Sequence, residues 1–572
     1  MKLVNELNGP QTTGRTYRNL SEPSHAVRHD VNVGVAMRDG VTLLADVHRP
    51  AAGGRFPALI AASPYPRQVQ NLGAPAGFIE AGVSDFWVPR GYVHVIANLR
   101  GTNGSGGRFG FFDTQERRDM YDLVEWAAAQ PWCDGTVGMI GISYFAMTQL
   151  EAAVERPPHL KAIFPVAVTA DLYEAAMHHG LMSSSFVTPF LSMIGLTSER
   201  SDSFWRGPVV GLARRILTTP RLHRRFATLN GEAAVTMMRQ LLKLPHNPHP
   251  WDDLWLDVAV DHQFRDDWWD ERNLLPLLDR IDIPVYLGCD WENVPLHLPS
   301  TFKAWEALRH NPNVRIGMLG RYGLTWPWES LHTEALAWFD QWLKGRDIGI
   351  CEGPPIRYVL PGSDGWHTAD SWPPAGTAHR ALALRTDGSM AEDEGEPGGR
   401  EFMVLGAGLN RARVSVIDPP AKLEWSTPPM AEDTDVVGDI ELRLVASATA
   451  LDTAWMATLQ DVAPDGTTED VTAGWLRASL RAVDETASRD GAPVLPCRRP
   501  EAVPVGEEVE YRIPLVPNAR RFAAGHRIRV VLTGDDQDPS VPSIMNFRHA
   551  GVGTSSRNTV RSSSRLLLPV LS

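Results

Sequence analysis

Apolar positions along this chain follow two rhythms, one alternating and one helical. From Val31 to Ser63 they alternate, broken by Arg38-Asp39-Gly40 and by Gly53-Gly54, which predicts strands joined by tight turns. Residues 91–98 (GYVHVIAN) are largely apolar and predict a buried strand. A glycine-rich loop follows, and residues 113–130 then carry apolar side chains at helical spacing. A further strand at 136–141 runs directly into a helix over about 144–154. Strands alternating with helices predict a parallel α/β sheet.

Between about Asp171 and Asn273 the strand pattern vanishes, and the text becomes helical and rich in Met and Trp (Trp205, Trp251, Trp255, Trp268, Trp269). Strand text resumes at 283–288 and 314–319, and a last helix ends at Lys344-Gly345, a glycine C-cap. Beyond it, short alternating runs at 440–445, 454–460, 509–514 and 526–532 sit between Pro, Gly and Asp turns, the pattern of a jelly-roll β-sandwich. The expected organisation is an α/β domain over residues 1–170 and 274–350, a helical cap inserted at 171–273, and a C-terminal all-β domain at 351–572. The acidic stretch 386–399 reads as an exposed loop.

Composition removes several function classes. The 572 residues carry 55 Lys and Arg against 68 Asp and Glu, a net charge of −13, without a clustered basic stripe, so no nucleic-acid partner is expected. No apolar run reaches the length of a bilayer span, and the first residues lack the apolar core of an export signal, so no membrane association is expected. The four cysteines (Cys133, Cys289, Cys351, Cys497) never form a C-x-x-C pair, which points away from disulfides and zinc and towards the reducing cytoplasm. No metal or other cofactor is expected, and a homodimer is left open. His178-His179 and the His246 and His249 pair lack metal-ligand spacing and read as lining or surface residues.

The chemistry concentrates at Gly141-Ile142-Ser143-Tyr144, where a strand turns straight into a helix. That is the first part of the G-x-S-x-G nucleophile elbow, which lifts a serine hydroxyl above the sheet edge, with Phe145 in place of the final glycine. Together with MRDGVTLLADVHRP, Ser63-Pro64-Tyr65, GYVHVIANLRGTNGSGG, EWAAAQPWCDGTVGMIGISY, WFDQWLKG and the long β-domain block from Ser426, it resembles the cocaine esterase, α-amino-acid ester hydrolase and X-prolyl dipeptidyl-peptidase family of serine hydrolases. The resemblance implies an α/β-hydrolase domain with a helical cap and a C-terminal jelly roll. It also implies Ser143 as nucleophile, with the Tyr65 hydroxyl and the Tyr144 backbone N–H as oxyanion donors.

The remaining triad members depart from the family pattern. Matching Trp291 without gaps puts Asn293 where the acid belongs, so Asp290 or Glu292 would have to replace it. The family histidine position falls on Leu324, leaving His332 as the nearest downstream base in the order Ser, acid, His, with His297 a weaker candidate. The expected activity is cleavage of an ester or amide of a small molecule or short peptide through an acyl-enzyme. Redirected acyl transfer or cyclisation, and a catalytically dead binding protein, stand as alternatives.

Overall fold

The computed structural model of the chain describes residues 15–71, 79–199, 202–217, 219, 250–321, 323–324, 327–406, 420–537 and 541–572. His246 and His249 lie outside the described residues.

Ten strands form the first sheet: β1 (Val27–Ala36), β2 (Thr42–Pro50), β3 (Phe56–Ser63), β4 (Val93–Asn98), β5 (Cys133–Ile142), β6 (Leu160–Val166), β7 (Val285–Asp290), β8 (Val314–Leu319), β9 (Ile356–Val359) and β10 (Trp366–Ala369). Their spatial order is β1-β2-β4-β3-β5-β6-β7-β8-β9-β10. From β4 to β9 all neighbours are parallel, while the hairpins at either edge are antiparallel. Parallel strands covered on both faces need apolar residues on both faces, which is why β4 is buried at every position rather than at every second one.

Two helices position the centre of the sheet. Helix α1 (Thr114–Ala128) is capped by Asp113, whose side chain accepts from the Glu116 N–H at 2.8 Å while Glu116 accepts from Phe112 N–H at 3.1 Å. Helix α2 (Tyr144–Glu155) is buried along nearly its whole length, as expected of a helix sandwiched between sheet and neighbours. The last helix of this domain, α3 (Pro327–Lys344), ends as the sequence predicts, with Gly345 at φ +64°.

The inserted segment leaves the sheet after β6, and its two ends meet again at an Asp171–Asn273 bridge and a Leu274 N–H to Ala170 carbonyl bond. Helices at Leu172–Met177, Ser184–Ser198 and Trp251–Leu256 lie within it. The C-terminal region is all-β, with a seven-stranded and a four-stranded antiparallel sheet. The expected start of that region at 351 needs correction. Strands β9 and β10 lie beyond it in sequence but belong to the first sheet, because β9 pairs with β8 and β10 with β9. Among the described residues, no helix is long and apolar enough to cross a membrane.

The tightest local constraint lies between β5 and α2. Gly141 has φ +135°, and a Cβ there would sit 2.3 Å from the Phe145 Cβ and 3.3 Å from the Glu80 carbonyl. Phe145 is therefore tolerated in the place of the usual second glycine because Gly141 has no side chain. Gly141→Ala should destabilise the enzyme by about 2 kcal/mol or more, from overpacking and left-handed strain, read as a lower unfolding midpoint in thermal or denaturant melts.

Candidate active site

Ser143 sits at the end of β5 with φ +60° and ψ −121°, a conformation that residues with side chains rarely adopt. The sharp turn lets Tyr144 open α2, so the Tyr144 N–H has no acceptor within the helix and faces the region above the serine. The Tyr144 side chain points elsewhere, stacking on Phe112 at 4.2 Å and donating its hydroxyl to Glu116 at 2.9 Å. Tyr65 lies after β3, on the strand next to β5, and its hydroxyl is within hydrogen-bonding reach of Ser143. Burial, and then the nearby Glu80 carboxyl, hold the phenol well above its ordinary range, so it keeps its proton.

The histidine beside the serine is His297, the weaker candidate of the sequence, and not His332. His297 Nε2 lies 3.1 Å from Ser143 Oγ. Its Nδ1 lies 2.9 Å from Thr169 Oγ1, and Thr169 in turn donates to the Leu296 carbonyl at 3.2 Å. With the threonine proton on that carbonyl, Nδ1 is the protonated nitrogen and Nε2 the lone pair that faces the serine hydroxyl. The His297 backbone N–H donates to Asn293 Oδ1 at 3.1 Å, which locks the turn leading into the helix Leu298–Ala307. Burial pushes the imidazole down to about 3.

His332 occupies a different environment. Its ring stacks on Phe86 at 4.1 Å and Trp328 at 5.1 Å, and neither ring nitrogen has a hydrogen-bond partner among the described residues. No contact joins it to Ser143, Asp290 or Glu292. Asp290 closes β7 and accepts from the Asn293 N–H at 3.1 Å and the Leu324 N–H at 3.0 Å, with burial raising it to about 6. Glu292 pairs with Arg321 at 2.5 Å. The structure thus brings together Ser143, Tyr65, the Tyr144 amide and His297, while His332, Asp290 and Glu292 have other partners.

Thr169 and Glu80 were not singled out from sequence. The Glu80 backbone carbonyl accepts from Ile142, one residue before the serine, and its Oε2 is buried without a hydrogen-bond partner among the described residues. Burial raises this carboxyl to about 8. Beside His297 and Tyr144 opens a narrow cavity of about 30 Å³ walled by Phe111, Phe112, Met147, Phe186 and Phe190, with no carboxylate among its described lining residues. Among the described residues no cluster of His, Cys, Asp or Glu could hold a metal ion.

The sequence matches the X-Pro dipeptidyl-peptidase (S15 family) over residues 39–329 and the X-Pro dipeptidyl-peptidase C-terminal non-catalytic domain over 350–546. It is 28% identical over 558 residues to a cocaine esterase of Rhodococcus sp. (strain MB1 Bresler), covering 88% of this chain and 90% of that one. A CocE/NonD family hydrolase from Staphylococcus aureus superimposes with a TM-score of 0.74 at 20% identity, over 99% of this chain and 100% of the other. An α-amino-acid ester hydrolase superimposes with a TM-score of 0.69 at 18% identity, over 98% of each chain.

A Glu80 carboxyl raised to about 8 should be protonated at neutral pH. Infrared difference spectra between wild type and Glu80→Gln should show a carboxylic-acid C=O band that fades as pH rises through that value. A carboxylate band at neutral pH would contradict the assignment.

Proposed function

Because the chain belongs to the X-Pro dipeptidyl-peptidase family (S15), a family of serine esterases and peptidases, we propose that it cleaves an ester or amide bond of a small molecule through an acyl-enzyme on Ser143. The observation that carries this reading is the 3.1 Å contact between Ser143 Oγ and a His297 nitrogen free to accept its proton.

In this reading His297 takes the serine proton as Oγ attacks the carbonyl, and Tyr65 with the Tyr144 amide donates to the oxyanion as it forms. His297 then protonates the leaving group, and water attacks the acyl-enzyme by the same route in reverse. Thr169 fixes the tautomer but cannot offset the imidazolium charge as a carboxylate would. The apolar walls of the cavity favour a compact apolar acyl or aryl group. A free ammonium group would find no carboxylate among the described lining residues, which favours an uncharged ester over a dipeptide with a free amino terminus. The serine–histidine contact also favours a catalytic reading over an inert binding protein.

The test is turnover of a short-chain p-nitrophenyl ester together with fluorophosphonate labelling. Ser143→Ala should abolish both, His297→Ala should lower acylation by ~10²–10⁴-fold, and Thr169→Val should lower it about 5-fold, the worth of one ~1 kcal/mol hydrogen bond. His332→Phe should leave the labelling rate close to wild type. Loss of labelling in His332→Phe with wild-type folding, and retention in His297→Ala, would reverse the assignment.

The pH profile adds a second check. With the imidazole pushed down to about 3 it is unprotonated at every higher pH, so kcat/KM should lack the usual fall near ~6.5 on acidification. On the alkaline side activity should fall as Glu80 ionises near about 8 and sets a negative charge beside Tyr65, and Glu80→Gln should remove that fall.

A further inference from the structure

The tandem His178-His179, which the sequence left as lining or surface residues, lies where the cap meets the β-domain, His178 buried and His179 half-buried, and both residues have positive φ, +30° and +55°. Non-glycine residues held in that region need surrounding structure to hold them there. His179 is held by β-domain backbone, its Nδ1 on the Trp475 carbonyl at 3.1 Å and its carbonyl on the Arg477 N–H at 3.1 Å.

His178 does more. Its ring stacks on Trp475 at 4.4 Å, its Nε2 lies 2.6 Å from the Pro295 carbonyl, and its Nδ1 lies 2.6 Å from His549 Nε2. His549 Nδ1 lies 2.7 Å from Asp536 Oδ2, and its backbone N–H donates to Asp536 Oδ1 at 2.9 Å. The chain Asp536–His549–His178–Pro295 therefore starts in the β-domain, crosses the cap and ends two residues before His297. All three side chains are buried.

Proton counting fixes the state of this chain. Pro295 offers only a carbonyl, so His178 Nε2 must carry hydrogen. Two ring nitrogens 2.6 Å apart need one proton between them, and the His549–Asp536 contact needs another. That makes three protons, whereas two neutral imidazoles and a carboxylate hold two. The cluster thus carries one extra proton and is neutral overall, an imidazolium balanced by a carboxylate, which makes its links charge-assisted. Burial, and then the neighbouring His549, drive His178 well below its ordinary range.

We propose that Asp536, His549 and His178 are positioning residues that share a buried proton and, through the Pro295 carbonyl, hold the turn that aims His297 at Ser143. The proposal rests on the reading of His297 as base. The turn has two other fixed points, Asn293 on the His297 N–H and Thr169 on its ring, and the relay supplies the third from outside the α/β domain.

The experiment uses the full-length enzyme in two arms. In protein labelled with ¹⁵N-histidine, a strongly deshielded ring proton with scalar coupling to two histidine nitrogens should mark the His178–His549 bridge and vanish in His549→Phe, which keeps a ring against Trp475. On a short-chain p-nitrophenyl ester, His549→Phe and Asp536→Asn should lose ~10-fold or more in kcat, the cost of a base displaced by a fraction of an ångström, with KM within about 3-fold of wild type. If His549→Phe does not fold, Asp536→Asn decides the kinetic arm. Absence of the shared-proton signal in wild type overturns the relay. So does wild-type kcat in the variants while turnover still depends on His297. If turnover is insensitive to His297→Ala yet the signal is present, the reading of the base fails and the relay stands as an interdomain latch.

Discussion

The site depends on one backbone held where side-chain-bearing residues seldom sit. Ser143 at φ +60° costs on the order of 1–3 kcal/mol, and only a rigid frame keeps it there. The frame is visible: the Ser143 N–H donates to Val166 on β6, the Ile142 N–H donates to Glu80, and α2 behind the turn is buried on nearly every face. From that strain follow the outward hydroxyl, the unsatisfied Tyr144 N–H and the reach of Tyr65. Gly141 and Phe145 form a matched pair in which the missing side chain of one makes room for the ring of the other.

In the proposed reaction the base works under a different constraint. A carboxylate beside the imidazole normally stabilises the charge that forms on it. Here the partner is a threonine, and burial with no counter-charge pushes His297 down to about 3. Relative to a free histidine the imidazolium is disfavoured by on the order of 5 kcal/mol. The anion that can offset this is the one the reaction makes. As the oxyanion develops, it sits close to the imidazolium in an apolar cavity where charge attraction is weakly screened. The low basicity that hampers proton abstraction also makes the imidazolium a stronger acid towards the leaving group. Activated, uncharged esters suit that balance.

The fold was legible because parallel strands and covering helices write long, periodic patterns, and because the serine elbow is a local motif. Strands β9 and β10 escaped because four-residue strands have too few positions to show a period, and their membership is decided by hydrogen bonding of β9 to β8 and of β10 to β9. His332 looked right by chain order, but its place in the sequence says nothing of the Phe86 and Trp328 rings that enclose it. Asp290 faces the backbone of Leu324, where the family pattern has its histidine, so the acid's neighbourhood remains while the ring it would orient is gone. His297 comes instead from the turn directly after β7. One signal was present in the sequence: Asn293 lies four residues before His297, a spacing that lets an asparagine cap the turn carrying it.

On the proposed reading, that turn draws the β-domain into the working unit of the site. Residues 290–298 are tied to the α/β domain through Asp290 and Leu324, and to the cap through His178. They are tied to the β-domain through Asn518, which donates to the Trp291 carbonyl at 3.2 Å, and through the Asp536–His549 pair behind His178. A loop held by its own domain alone would be free to sample the small displacements that separate a productive serine–histidine contact from an idle one. Three separately folded regions meeting on nine residues remove that freedom. The net charge of −9 from Cys351 onward, most of it on the β-domain, then says little about the substrate, because on the proposed reading this region delivers position to the site rather than charge.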